Sequence, residues 1–168
     1  MIRSSSTLTQ DRLKEQIHYD PDTGHLTWLI SKKGVSKGRR VSPTPATDGY
    51  MQCVVDSQHY YQHQIIWLWV TGTFPDSCID HINRIRNDNR WVNLRQATYY
   101  QNQYNKEWSG NACGVKNVCQ YGNSYTVSFR DPSTGKIVNF GTYKTLDEAE
   151  EIAYWVREEL HGVFASHT

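Results

Sequence analysis

The chain has 168 residues, 18 Lys and Arg against 17 Asp and Glu, and a 12% share of aromatic side chains. That length holds one ordinary domain or two small ones sharing surface, and six Trp with eleven Tyr exclude a disordered composition. The charge is uneven: residues 31–144 carry fourteen Lys/Arg against seven acids, whereas 145–168 carry one Arg against six, so a polyanion meets a positive middle and is turned away from the C-terminal end.

No apolar run has the length of a signal peptide, and the longest, Ile65 to Val70, is far too short to span a bilayer. The protein is therefore expected in the cytoplasm, the host's if the chain is phage-encoded. Cys53, Cys78, Cys113 and Cys119 form no C-x-x-C pair, so they are expected to be reduced, mostly buried small apolar groups, with no structural zinc.

Leu8, Leu13 and Ile17 form an apolar stripe that predicts a short helix over 7–17. Tyr19-Asp-Pro-Asp-Thr-Gly24 has the chemistry of a tight turn and His25 to Trp28 alternates as a strand, which makes 19–28 a hairpin. Lys32, Lys33, Lys37, Arg39 and Arg40 follow without an acid and with Gly34 and Gly38, the composition of a mobile basic loop. Alone it reads as a solvated surface; with a nucleic-acid site downstream it reads as an arm that tracks phosphates. Residues 50–55 and 58–61 read as strands about a turn at Asp56-Ser57, and His63 to Val70 as a helix stopped by Gly72. His59 and His63 are expected to be structural.

Residues 77–82 are expected to form a strand carrying Asp80 and His81. Neighbouring side chains on a strand point to opposite faces, so both serve one site only where the strand twists or ends, and the polar stretch 83–89 suits an ending. Trp91 to Leu94 reads as a second short strand, and Thr98-Tyr-Tyr-Gln101 as a capping box opening a helix with Asn102 in its first turns. Asp80 offers a charged oxygen and Asn102 a neutral one, a pair that suits Mg²⁺, with Mn²⁺ as substitute. His81, with an ordinary imidazole pKa of about 6.5, can take a proton from an attacking water, and Asn93 can fix its ring by a hydrogen bond. Singly, each residue fits a polar turn or a capped helix without chemistry. As an ordered set, with Arg84, Arg86 and Arg95 among them, they point to phosphodiester hydrolysis.

This set resembles the HNH homing-type endonucleases of the phage and intron branch. The likeness runs over YDPDTGHLTW, Gly49-Tyr50, the His63-containing helix, IDHIN, NDNRWVNLR and QNQYNK. It implies a ββα-metal (His-Me finger) core in which His81 is the general base, Asn93 steadies it, and Asp80 and Asn102 bind the catalytic ion. Asn102 stands where many relatives have a third His.

After residue 110 the pattern changes. Residues 114–118, 124–130 and 136–143 read as strands, and Asp131-Pro-Ser-Thr-Gly135 repeats the earlier turn chemistry. Thr145-Leu-Asp-Glu148 is a capping box before an amphipathic helix marked by Ala149, Ile152, Ala153, Val156 and Leu160 and ended by Gly162. With GVK, FGTYKTLDEAEEIAYW and LHGVFA in order, residues 113–165 resemble the ethylene-response-factor (APETALA-type) DNA-binding domain. That resemblance implies a sheet facing the major groove, with Lys116, Asn117, Tyr125, Arg130 and Lys136 near DNA.

The expected fold is α+β: an HNH core with N-terminal β-hairpins over 1–108, and a three-stranded antiparallel sheet packed on one helix over 109–168. The expected activity is that of a Mg²⁺-dependent endonuclease, a monomer or weak dimer, nicking double-stranded DNA. Lys32, Lys33, Lys37, Arg39, Arg40, Arg84, Arg86, Arg95, Lys116 and Arg130 are the expected DNA contacts. The rival is a DNA-binding regulator that keeps the fold without cleavage.

Overall fold

Alternating apolar residues and turn chemistry divide the chain into short elements, and the computed structural model describes residues 8–105, 110–131 and 134–167. The start of the first helix at Thr7, the domain boundary at 108/109 and Pro132-Ser133 of the second turn lie outside them. The chain separates into two units, Met1–Ala97 and Thr98–Thr168, and combines helices with small antiparallel sheets.

In the first unit, Thr9 caps helix α1 (Gln10–Gln16) by accepting from the Arg12 N–H at 3.2 Å. Strands β1 (Ile17–Asp20) and β2 (His25–Trp28) pair as the expected hairpin, with Ile17 opposite Trp28 and Asp20 opposite His25. Asp20 closes the turn, its carboxylate accepting from the Thr23 hydroxyl at 2.7 Å and its carbonyl from the Gly24 N–H at 2.9 Å. The basic segment that follows is bonded through its backbone rather than open. Lys32 and Val35 exchange backbone hydrogen bonds at 3.0 and 2.8 Å, and the Trp28 and Val41 N–H groups donate to Arg39 and Leu26, so the segment is laced along β2.

Strands β3 (Thr44–Pro45), β4 (Met51–Val55) and β5 (Gln58–Tyr61) form a sheet in that order, with Asp56 and Ser57 both at positive φ in the two-residue turn. Helix α2 (Gln62–Thr71) ends at Gly72, φ 87°. Its Ile65, Ile66 and Leu68 join Leu13, Ile17, Tyr19, Leu26 and Val55 in the core. Strand β6 (Cys78–His81) pairs with β7 (Leu94–Ala97). The second strand starts later than the sequence suggests, because Trp91–Asn93 forms a 3₁₀ turn first, with the Asn93 N–H bonded to Arg90 O. Of the four free cysteines only Cys53 is buried; Cys78 and Cys119 are exposed on strands and Cys113 is half-buried, so the expectation of mostly buried thiols fails.

In the second unit, helix α3 (Tyr99–Tyr104) carries the expected capping box at Thr98 and Gln101. Strands β8 (Val118–Tyr121), β9 (Ser124–Arg130) and β10 (Ile137–Tyr143) form an antiparallel sheet in the order β10-β9-β8. Helix α4 (Leu146–His161), capped by Thr145 and Glu148, packs Ala149 and Ala153 with Val118, Val127 and Phe129. Strand β8 begins at 118 rather than 114, because Gly114 and Asn117 take positive φ and turn the chain before it can extend.

Two glycines test how the first unit is closed. A Cβ on Gly24 (φ 73°) would meet Arg90 N and Asn89 C at 2.7 Å, whereas one on Gly34 (φ 78°) meets nothing within 4 Å. Gly34→Ala is expected to cost about 1–2 kcal/mol in urea denaturation, the left-handed penalty alone, and Gly24→Ala about 3 kcal/mol or more, because backbone must also move.

Candidate functional site

Strand β6 buries three consecutive residues, Ile79, Asp80 and His81. A strand with two faces does this only where both faces are covered: Asp80 lies against Arg95 of β7, and His81 against the rings of Tyr50 and His63. The strand ends at His81, where the Arg84 N–H folds back to the His81 carbonyl at 2.8 Å.

Asp80 stands opposite Arg95 across the ribbon, and Arg95 donates through Nε and Nη2 to Asp80 Oδ2, both at 2.7 Å. The pair is sheltered, with side-chain exposures of 15% and 5%, so the attraction is little screened by water. Arg95, expected to touch DNA, is thus committed to Asp80. Among the described residues no group of three or more His, Cys, Asp or Glu side chains gathers as a metal site. An ion held here would rely on Asp80, on amide oxygen, and on water or substrate.

The His81 ring lies near the rings of Tyr50 (centroids 5.6 Å apart) and His63 (5.4 Å). Its Nε2 meets Asn89 Oδ1 at 3.1 Å, and Asn89 Nδ2 donates to Gln62 Oε1 at 3.4 Å. With Nε2–H donating, the basic lone pair falls on Nδ1. Burial lowers the His81 pKa, against the Asn89 hydrogen bond and the Asp80 and Asp88 charges, which raise it. A ring kept neutral in this way suits a proton acceptor.

The partner of the imidazole is therefore Asn89 and not Asn93. Asn93 is buried in the mouth of the loop between the strands, where its Oδ1 accepts from the Asn83 N–H at 2.9 Å and its Nδ2 donates to the Asp88 carbonyl at 2.8 Å. It fixes the loop that presents Asn89, so its hold on His81 is indirect. From the other side, the buried Tyr19 hydroxyl donates to the Asn89 carbonyl at 2.8 Å. Asn102 lies on α3 in the second unit.

Sequence reasoning missed Asn89, Gln62 and Tyr50. A polar run such as Asn87-Asp88-Asn89 marks a turn without saying which amide faces inward, and Gln62 stands alone at a helix start. His63, expected to be structural, is buried, and its Nδ1 has no hydrogen-bond partner among the described residues.

The basic candidates separate into two groups. Lys33, Lys37, Arg39 and Arg40 are exposed along the laced segment. Arg84 is exposed in the loop at positive φ. Lys32 spans the Trp28 ring at 4.4 Å and donates to Gln16 at 3.2 Å, and Arg86 lies over Tyr50 and donates to the Asp48 carbonyl. In the second unit the expected contacts are corrected. Lys116 turns its ammonium to the Ser166 carbonyl at 2.9 Å, Asn117 accepts from the buried Arg157, and Tyr125 packs on the core. Arg130 is exposed and donates to the Gly135 carbonyl. The register puts Tyr121, Ser124, Thr126, Ser128 and Thr142 on the sheet face opposite buried Val118, Val127 and Phe129.

The structure thus sets a buried imidazole at a strand end, beside a carboxylate and under an asparagine-pinned loop. A family model described as HNH endonuclease matches residues 60–104, which span α2, both strands of the ribbon and α3. The chain is 36% identical over 107 residues to an uncharacterized HNH endonuclease, L560, of Acanthamoeba polyphaga mimivirus, a match covering 62% of this chain and 54% of that protein. The chain thus spans about half the length of this curated relative. A solved structure titled for DNA binding and cleavage by the HNH homing endonuclease I-HmuI aligns with a TM-score of 0.41 and 20% identity, over 54% of this chain and 51% of that one. Residues 60–104 carry the HNH endonuclease signature.

His63 sets an acid limit on the first unit. Burial, with the neighbouring His81 second, lowers its pKa from 6.5 to about 3. Between those values the unfolded chain binds the extra proton and the folded one does not, so the His63 contribution is full above pH 6.5 and is lost as pH falls toward 3. Urea midpoints followed by Trp fluorescence are expected to fall below pH 6.5, and His63→Phe should reduce that dependence.

Proposed function

We propose that this protein is a metal-dependent HNH DNA endonuclease that hydrolyses phosphodiester bonds and nicks double-stranded DNA. The observation that carries the reading is the Asp80-His81 pair at the buried end of β6, inside the segment that matches the HNH endonuclease model. His81 accepts the proton of the attacking water. Asn89 orients its ring, and Asn93 holds the loop that carries Asn89. The core is read as ββα-metal, with β6 and β7 as its strands and α3 as its helix.

The donor chemistry fits a hard cation: Asp80 supplies a sheltered carboxylate and Asn102 an amide oxygen, with Mg²⁺ the proposed ion, Mn²⁺ its substitute, and zinc unsuited to so few nitrogen and sulfur ligands. When bound, such an ion polarises the phosphate and stabilises charge on the leaving oxygen. Arg95 holds the carboxylate in one orientation. Lys33, Lys37, Arg39, Arg40 and Arg84 offer exposed cations to the DNA backbone. Arg130 and the hydroxyl-rich face of β8, β9 and β10 supply a second surface, in the manner of an ethylene-response-factor domain. The proposed working state is a monomer or weak dimer, and the proposed setting is the cytoplasm; no helix among the described residues is long and apolar enough to cross a membrane.

Supercoiled plasmid with Mg²⁺ tests the reading. Wild type is expected to convert it to open circles, and His81→Ala to lower the rate by about a hundredfold or more while retaining mobility-shift binding. A protein that shifts the plasmid and never relaxes it would be a DNA-binding regulator. Separately, Lys33→Ala with Lys37→Ala should flatten the slope of log binding constant against log salt by about 1–2.

A further inference from the structure

Helix α3 cannot hold itself. It has six residues, well short of the roughly 12 at which a lone helix becomes marginally stable in water, and none of them is buried. Its capping box satisfies amides at the start of the helix and adds no packing there, since Tyr99 and Tyr100 are exposed. What seats the helix is its other end. The Tyr104 ring lies parallel to that of His161, with centroids 3.8 Å apart and planes 5° from each other. The Tyr104 carbonyl accepts from the Lys116 ammonium at 3.5 Å, and Asn105, the C-cap, is buried.

His161 is a firm seat. It is the last residue of α4, and its ring also meets that of the core residue Phe129, edge to face at 5.9 Å. Helix α3 packs on the 3₁₀ turn Gly162–Phe164 that follows, and the division of the chain after Ala97 puts α3 in the second unit. The match to the HNH model ends at residue 104, so the stack ties the last matched residue to one far outside the match. The Tyr104 hydroxyl and His161 Nε2 are both buried with no hydrogen-bond partner among the described residues. Unpaired polar atoms cost stability, so the contact is one of ring faces, and Phe at either position keeps the faces while removing the cost.

We propose that the second unit positions the metal-binding amide: the stack of Tyr104 on His161 seats α3, and with it Asn102, which makes both rings positioning residues for the ion. The seating stands on the contacts above, and its consequence for the ion rests on the reading of Asn102 as a ligand. An amide on a frayed helix binds only in the seated fraction, and the apparent affinity for the ion falls by that fraction.

The test uses the full chain without DNA, following amide hydrogen exchange by NMR and Mn²⁺ binding by electron paramagnetic resonance. Tyr104→Ala is expected to speed exchange of the Asn102 and Asn105 amides, which bond to Thr98 and Gln101 carbonyls, by about fivefold, and to weaken Mn²⁺ binding about threefold, with the Val127 and Phe129 amides unchanged. His161→Ala should do the same to α3, His161→Phe should restore both readouts, and the two Ala changes together should be no worse than one. Should His161→Ala loosen the core of the unit, Tyr104→Ala decides alone. Exchange in α3 unmoved by Tyr104→Ala, or as fast in His161→Phe as in His161→Ala, would overturn the seating. Faster exchange with unchanged Mn²⁺ affinity, in a chain whose Asn102→Ala variant binds Mn²⁺ more weakly, would overturn the role toward the ion. If Asn102→Ala itself leaves Mn²⁺ binding unchanged, the ligand reading fails and takes the ion with it, while exchange still decides the seating.

Discussion

Burying a carboxylate and an imidazole side by side at the end of a two-stranded ribbon is the constraint on which the first unit depends. Each group loses water that it can replace only with specific partners. Asp80 finds Arg95 across the ribbon, while His81 finds Asn89, which needs a loop held to within a few tenths of an ångström. Asn93, Asn83 and Asp88 close that loop on itself, and Tyr19 anchors it from the hairpin. Enclosure lowers the pKa of the ring, and the Asn89 hydrogen bond orients it.

The second unit solves a similar problem by other means. Arg157 is buried with no carboxylate hydrogen-bonded to it among the described residues, and burial lowers its pKa against the Glu150 and Glu158 charges. Its donors go to the Lys116 carbonyl at 2.8 Å, Asn117 Oδ1 at 3.4 Å and His167 Nδ1 at 2.7 Å. A guanidinium only donates, so His167 accepts at Nδ1 and carries its proton on Nε2, which donates to Glu158 at 2.7 Å. This network draws the Lys116-Asn117 turn inward, and with it two residues that a basic, exposed-looking segment had assigned to DNA.

Much of the fold was legible where one residue type has one physical use. Thr98 with Gln101, and Thr145 with Glu148, announce helix starts; Gly72 and Gly162 announce ends; the alternation of His25 to Trp28 announces a strand. The sequence also put Asp80 and His81 on one strand, which is where they are found. What stayed hidden were choices among chemically equivalent groups. Asn83, Asn87, Asn89 and Asn93 are alike in composition, and only the path of the loop decides that Asn89 meets the ring while Asn93 meets backbone. The backbone bonds of the basic segment are hidden for the same reason: Lys and Arg predict solvation of side chains and say nothing of a main chain bonded to the neighbouring strand.

The contact of Gly24 and Tyr19 with the Asn89-Arg90 backbone reaches further than local packing. The match to the HNH model begins at residue 60, yet the loop that carries Asn89 leans on a hairpin that ends more than thirty residues before that start. A fragment trimmed to the signature would leave the Asn89 carbonyl with no phenol to meet it, and the ring of His81 with a support that drifts. Divergence in that upstream hairpin is then a means of altering the surroundings of His81 from outside the matched segment, with every residue of the match unchanged.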